Sequence, residues 1–193
     1  MAPRLPARLP IRRIAQGTVL HRAHAAAFRA FLRPAAGQRT HAPVPCSRRS
    51  YGTCFVGLTE AAAFAEGVLH GPVPTGLISP ATLLARSIAE LHVTQTLQML
   101  PLYGRHLMKL GATATVTHGD DYALSQRWSK AIHAHEQNVD GIMYTSRHDD
   151  TTFSLALFDR AEHKIAEGDS HPLSPADLRT LLLLDHYGIG MES

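Results

Sequence analysis

The stretch Val139–Asp159, VDGIMYTSRHDDTTFSLALFD, holds two strand-like runs, Gly141–Thr145 and Thr152–Phe158, around a polar break, Ser146 to Asp150. The first run is short and apolar. The second is rich in β-branched and aromatic residues and ends in a wholly apolar tail. Continuous apolar character of this kind suits strands buried on both faces. A serine, an arginine, a histidine and two aspartates crowd the strand end, a place where a sheet presents side chains to a ligand. The plainer alternative is an ordinary hairpin loop, because Asp-Asp-Thr is common turn chemistry.

On either side of this stretch the chain alternates strands and helices without a strict β-α repeat. Thr18–Arg22 reads as a short strand, and Ala23–Leu32 as an alanine-rich helix ended by Pro34. Gly52–Gly57 is a further strand. Thr59 then caps a helix whose first turn holds Glu60, where the helix dipole favours a carboxylate, and which runs on to Gly71-Pro72. Glu66 is the one acid in the interior of that helix, among Ala62, Ala63, Ala65 and Leu69. Ile88–Leu100 alternates apolar and polar residues, which marks one strand, or two in line, with one wet face. A helical turn over Gly104–Leu110 stops at Gly111, Ala112–Val116 reads as a strand, and Asp120 or Asp121 opens a helix over Tyr122–His135. Ser174-Pro175-Ala176-Asp177 has the residues of a cap and first turn for a last helix through Leu184. The expected architecture is α+β: one compact domain in which helices pack on a twisted mixed or antiparallel sheet.

At 193 residues and 45% hydrophobic content the chain can bury a full core. No apolar run approaches the roughly 18 residues needed to span a bilayer. The start, MAPRLPARLPIRR, is basic and acid-poor, but Pro3, Pro6 and Pro10 argue against the amphipathic helix of a transit peptide. Residues 1–16 are therefore expected as a flexible extension preceding a domain over 17–193. Two cysteines, Cys46 and Cys54, offer neither a disulfide framework nor metal spacing, which fits a reducing cytoplasm.

The net charge of +3 conceals an asymmetry. Ten arginines and no acid precede Glu60, while nine basic and sixteen acidic residues lie from there on. Arginine's planar fork suits phosphates, so an anionic ligand is expected, unless these arginines pair with the acidic remainder of the same domain. Nucleic acid is a weaker fit, since only 6% of residues are aromatic and no stacking platform interleaves with the basic third. His118-Gly-Asp-Asp and His148-Asp-Asp have no metal-ligand spacing, and Ser146 lacks the GxSxG elbow of a hydrolase. Neither GxGxxG nor a P-loop is present. No metal is expected.

Three motifs together resemble the RES-domain family, which is named for arginine, glutamate and serine motifs. "TVLHRA" resembles the first, with Arg22. "GTCFVGLTEAAAFAE" resembles the second, a strand, turn and helix ending in Glu66. The stretch that contains Ser146 resembles the third and most specific. "YALSQRWSKAIH" and "LHVTQTLQML" match the family's middle, so the likeness covers roughly 17–165. The resemblance implies a domain similar to ADP-ribosylating enzymes, acting in the cytoplasm as the toxin of a bacterial toxin–antitoxin pair. Such toxins bind NAD and break its nicotinamide–ribose bond, by hydrolysis or by phosphorolysis with phosphate as co-substrate; some ADP-ribosylate a protein instead. It further implies a cognate antitoxin with a helix-turn-helix domain, through which alone operator DNA is contacted.

The residue chemistry is compatible with that activity. An arginine fork such as Arg22, helped by Arg39, can clamp a diphosphate. Glu66 can stabilise an oxocarbenium-like ribose or orient the attacking group. Ser146 is expected to hydrogen-bond the nicotinamide or its ribose, with Arg147 beside it. The family's second motif carries a tyrosine eleven residues before the glutamate, where this chain has Phe55. Stacking on the ring is retained there and the hydroxyl is not. Tyr51 shares that face of the strand but lies about 13 Å away, too far to substitute. The competing expectations are a non-catalytic partner-binding protein on the same scaffold and an ADP-ribosyltransferase acting on a protein.

Overall fold

The computed structural model describes residues 3–26, 51–69, 76–119 and 122–192. Eight strands form one mixed sheet in the order β1-β6-β7-β8-β3-β2-β5-β9. In chain order these are β1 (Arg12–Ile14), β2 (Val19–Ala25), β3 (Thr53–Gly57), β5 (Arg86–Val93), β6 (Leu97–Pro101), β7 (Gly141–Thr145), β8 (Phe153–Phe158) and β9 (Ile165–Pro172). All pairings in this sheet are antiparallel except β6 with β7. A small parallel pair joins β4 (Leu77–Ile78) to β10 (Gly190–Met191). The helices are α1 (Glu60–Gly67), α2 (Pro80–Leu84), α3 (Arg105–Leu110), α4 (Thr115–His118), α5 (Tyr122–His133) and α6 (Leu178–His186). The α+β expectation holds.

The apolar tail of β8 is buried on both faces, as its composition requires. Leu155 and Leu157 join Leu20, Cys54, Val56 and Leu91 in one core cluster. Ala156 and Phe158 join Ile142, Trp128 and Ile132, which brings α5 onto the other face. A third cluster gathers α1, α2 and α6 around Phe64, Leu83, Ile88 and Leu184. Each fully buried leucine or phenylalanine in these layers contributes about 1.5–3 kcal/mol.

Asp140 fixes the entry to β7. Its backbone N–H donates to Gln98 O (2.8 Å), and its carboxylate accepts from Gln98 N (2.7 Å) and from Lys164 Nζ (2.8 and 2.9 Å). Gly141 follows because nothing larger fits. A Cβ there would press on the Ala156 carbonyl oxygen and sit 2.7 Å from Met99 Cε. Gly141→Ala is expected to destabilise the protein by about 1–3 kcal/mol through overpacking. A lowered midpoint in urea unfolding checks this.

The structure corrects several expectations. The paired region begins before residue 17. Arg12–Ile14 pairs with β6, Leu9 is 3% exposed, and Leu9 N donates to Gln137 Oε1. Prolines that exclude a helix do not prevent an extended chain from lying along a sheet. Ala23–Ala25 belong to β2 rather than to a helix, and the rest of that expected helix from residue 27 lies outside the described residues. Ile88–Leu100 is two strands, β5 and β6, broken at Thr94–Thr96. Ala112–Val116 is not a strand: Thr115–His118 forms α4 instead. The last helix is capped at Asp177, and Ser174 accepts from Ala176 N in the preceding turn. Cys46, the Gly71-Pro72 stop and the Asp120-Asp121 helix start also lie outside the described residues.

Candidate active site

Small residues bring α1 down onto the sheet. Thr59 caps it, its Oγ1 accepting from Ala62 N at 3.1 Å, and Ala62, Ala63, Phe64 and Ala65 are buried. A Cβ on Gly57 would lie 2.5 Å from Ala63 N, and one on Gly67 would lie 2.5 Å from Ala23 Cβ. These two glycines allow the close approach of the helix to β3 and β2. Glu66, in the last turn, therefore points across the sheet. Its Oε2 accepts a hydrogen bond of 3.0 Å from the Tyr144 hydroxyl on β7. Burial, reinforced by the adjacent Glu66 carboxylate, pushes the Tyr144 phenol well above its ordinary pKa. Tyr144 thus stays protonated and donates, holding one carboxylate oxygen of Glu66 in place.

Strand alternation places Thr53 and Phe55 of β3, Ala156 of β8, and Ile142 and Tyr144 of β7 on one face. With Glu66, Leu102, Trp128 of α5 and Arg147 they line a narrow cleft with about 120 Å³ of water-accessible space. A second, more polar chamber is lined by Tyr103, His118, Thr145, Arg147, His148 and Asp149, among others. Leu102 and Arg147 border both. Arg147 therefore stands at the junction, and its Nε lies 3.3 Å from His148 Nε2.

Of the residues expected from sequence, the structure brings Glu66, Phe55 and Arg147 together around the cleft. Ser146 is not on its wall. It is fully buried at the end of β7, and its Oγ accepts from His148 N at 3.2 Å, so it shapes the turn that presents Arg147. Arg22 pairs opposite Ala89, and alternation from Leu20 turns it to the Cys54 side of the sheet, away from Phe55 and Tyr144. Burial pushes the Cys54 thiol up, and the Arg22 charge opposes that rise. Arg39 lies outside the described residues. Tyr51 is engaged elsewhere: its hydroxyl donates to Ser129 Oγ (2.6 Å) and its ring stacks on His133 at 4.1 Å.

Sequence reasoning missed Tyr144, Trp128 and His118 as site residues. Tyr144 did carry a signal, being the one polar aromatic in an apolar strand, two positions before Ser146. Trp128 read as ordinary helix core, and it is indeed mostly buried at 7% exposure. His118 is held by Thr117 Oγ1 at 2.8 Å and lies 3.4 Å from Thr145 Oγ1. Among the described residues, no three His, Cys, Asp or Glu side chains converge to hold a metal ion, and no helix is long and apolar enough to cross a membrane.

Comparison with known proteins gives three matches. A family model of the RES domain matches residues 10–177. A protein of Sinorhizobium fredii (strain NBRC 101917 / NGR234) named probable toxin y4kH is 28% identical over 119 residues, covering 62% of this chain and 91% of that protein. A chain in the crystal structure of the M. tuberculosis MbcT-MbcA toxin-antitoxin complex superposes with a TM-score of 0.66. That match has 15% identity and covers 90% of this chain and 92% of the other, a likeness of fold.

Proposed function

This chain belongs to the RES domain family, and we propose that it is the toxin of a toxin–antitoxin pair, acting in the cytoplasm by cleaving the nicotinamide–ribose bond of NAD. The observation that carries this reading is the Glu66 carboxylate, fixed by Tyr144, inside an aromatic-walled cleft joined through Arg147 to a second chamber. The proposal assigns the nicotinamide riboside to the chamber of Phe55 and Trp128, and the diphosphate to Arg147 at the junction. The adenosine half then lies in the second chamber.

The reaction asks for little acid or base chemistry. As the C1′–N1 bond breaks, its electron pair returns to the pyridinium ring and nicotinamide leaves neutral. Positive charge builds on the ribose, and Glu66 stabilises it. An oxygen of water or of inorganic phosphate then bonds to C1′; with water, Glu66 accepts the proton released. Phe55 supplies ring stacking. Arg147 takes the clamping role expected of Arg22 and Arg39, with Ser146 setting its loop. The similarity to a named toxin and to a toxin–antitoxin complex supports a partner antitoxin for this chain. In the proposal that antitoxin carries the helix-turn-helix domain, and operator DNA is contacted through it.

The test is nicotinamide release from NAD by the purified chain, with and without phosphate. Product identified as ADP-ribose or as its 1″-phosphate assigns the acceptor. No release under either condition contradicts the reading; ADP-ribose found on a protein instead identifies a transferase. Tyr144→Phe is expected to lower kcat about tenfold with KM for NAD within about twofold, because the lost hydrogen bond acts on the catalytic carboxylate. Steady-state kinetics on the folded variant check it.

A further inference from the structure

We propose that Tyr187, ten residues past the stretch matched by the family model, is a positioning residue that ties the loop bearing Arg147 to the helix bearing Glu66. The proposal rests on the NAD-cleaving reading of the cleft. The Tyr187 hydroxyl lies 2.9 Å from the Ala61 carbonyl oxygen in the first turn of α1 and 3.0 Å from Asp149 Oδ2. Its single proton lies between the two acceptors, a three-centre arrangement through which one phenol links the first turn of α1 to the loop of Asp149. The two ends matter because Glu66 is five residues along α1 from Ala61, and Arg147 is two residues before Asp149.

The surrounding contacts suit such a tether. The Tyr187 ring stacks on that of Phe64 (centroids 6.1 Å apart, planes 13° apart), and Phe64 is fully buried in α1. Asp149 divides its carboxylate: Oδ1 accepts from the Thr151 N–H and hydroxyl, closing its own loop, and Oδ2 faces Tyr187. Burial works to raise the Asp149 pKa, but the hydrogen bonds from Thr151 and Tyr187 outweigh it and hold the carboxyl low. Burial, then the Asp149 hydrogen bond, pushes the Tyr187 phenol up. A phenol donor thus meets an ionised acceptor at neutral pH, the stronger kind of hydrogen bond. The chain beyond Tyr187 is anchored in turn. Ile189 N donates to Leu184 O (2.9 Å) and Gly190 N to Gly76 O (2.8 Å), seating β10 on β4.

Tyr187→Phe keeps the stacked ring and removes only the bridge. Asp149→Ala removes the acceptor for Tyr187, together with the one for Thr151. In the full chain each is expected to lower kcat/KM for NAD about tenfold, since small displacements of a positioned group are costly. The double variant should be no worse than the poorer single, because both remove the Tyr187–Asp149 bond. A loss equal to the product of the two, or unchanged kinetics with only a lower melting temperature, overturns the assignment. Hydrogen exchange without NAD reads the tether independently of any activity. Tyr187→Phe should speed exchange across residues 146–152, and unchanged exchange there rejects the tether even if the enzyme cleaves NAD. If the wild type releases no nicotinamide while exchange does respond, the tether exists but positions no catalytic group, and the catalytic assignment is withdrawn.

Discussion

On the proposed NAD-cleaving reading, Glu66→Gln is expected to lower nicotinamide release about a thousandfold and to leave the melting temperature and NAD affinity nearly unchanged. Glutamine fills the same space, and its carbonyl oxygen still accepts from the Tyr144 hydroxyl that now holds Glu66 Oε2. What it lacks is the negative charge. A carboxylate about 4 Å from a developing unit charge is worth about 4 kcal/mol in a partly screened protein site, which converts to roughly a thousandfold in rate. Ground-state NAD carries that charge on the pyridinium ring, so the loss falls on kcat rather than on KM. Nicotinamide release and calorimetric binding, measured side by side, separate the two. Turnover at the wild-type rate would remove Glu66 from the chemistry.

The largest effect on stability is expected at Lys164. Asp140 is 3% exposed, and its carboxylate is neutralised by Lys164 Nζ while it also accepts from Gln98 N. Lys164→Ala leaves that carboxylate buried without its counter-charge. Removing one partner of a buried ion pair costs about 3–5 kcal/mol. The lower end is expected here, because the Lys164 side chain retains 19% exposure and water can reach the vacated site. Urea unfolding should show the loss as a fallen midpoint at constant slope. Asp140 also fixes the register of β7 against β6 and so the height at which Tyr144 meets Glu66. Stability equal to the wild type would mean that the pair contributes no net stabilisation to that junction.

Much of this arrangement can be read from residues close in sequence, and the rest depends on contacts between distant ones. β7 and β8 were legible because burial on both faces demands continuous apolar, β-branched sequence. β9 was not: IAEGDSHP holds Gly, Pro and acids, which strands usually lack, and among the described residues it is an exposed edge paired to β5 alone. The break between β5 and β6 was hidden because Thr94 and Thr96 continue the alternation across it. Thr94 N instead donates to Lys164 O, 70 residues away. The three family motifs could be located by eye, yet the face each side chain takes follows from strand parity. That parity puts Arg22 with Leu20 and Phe55 with Tyr144. Tyr144 reaches Glu66 across 78 residues of chain, a pairing to which no local pattern points.

The most direct test is a crystal structure of Glu66→Gln with NAD bound. The account predicts the nicotinamide ring in the Phe55–Trp128 chamber, the ribose C1′ facing residue 66 and the diphosphate on Arg147. NAD bound elsewhere, or with its nicotinamide end outside that chamber, would contradict it.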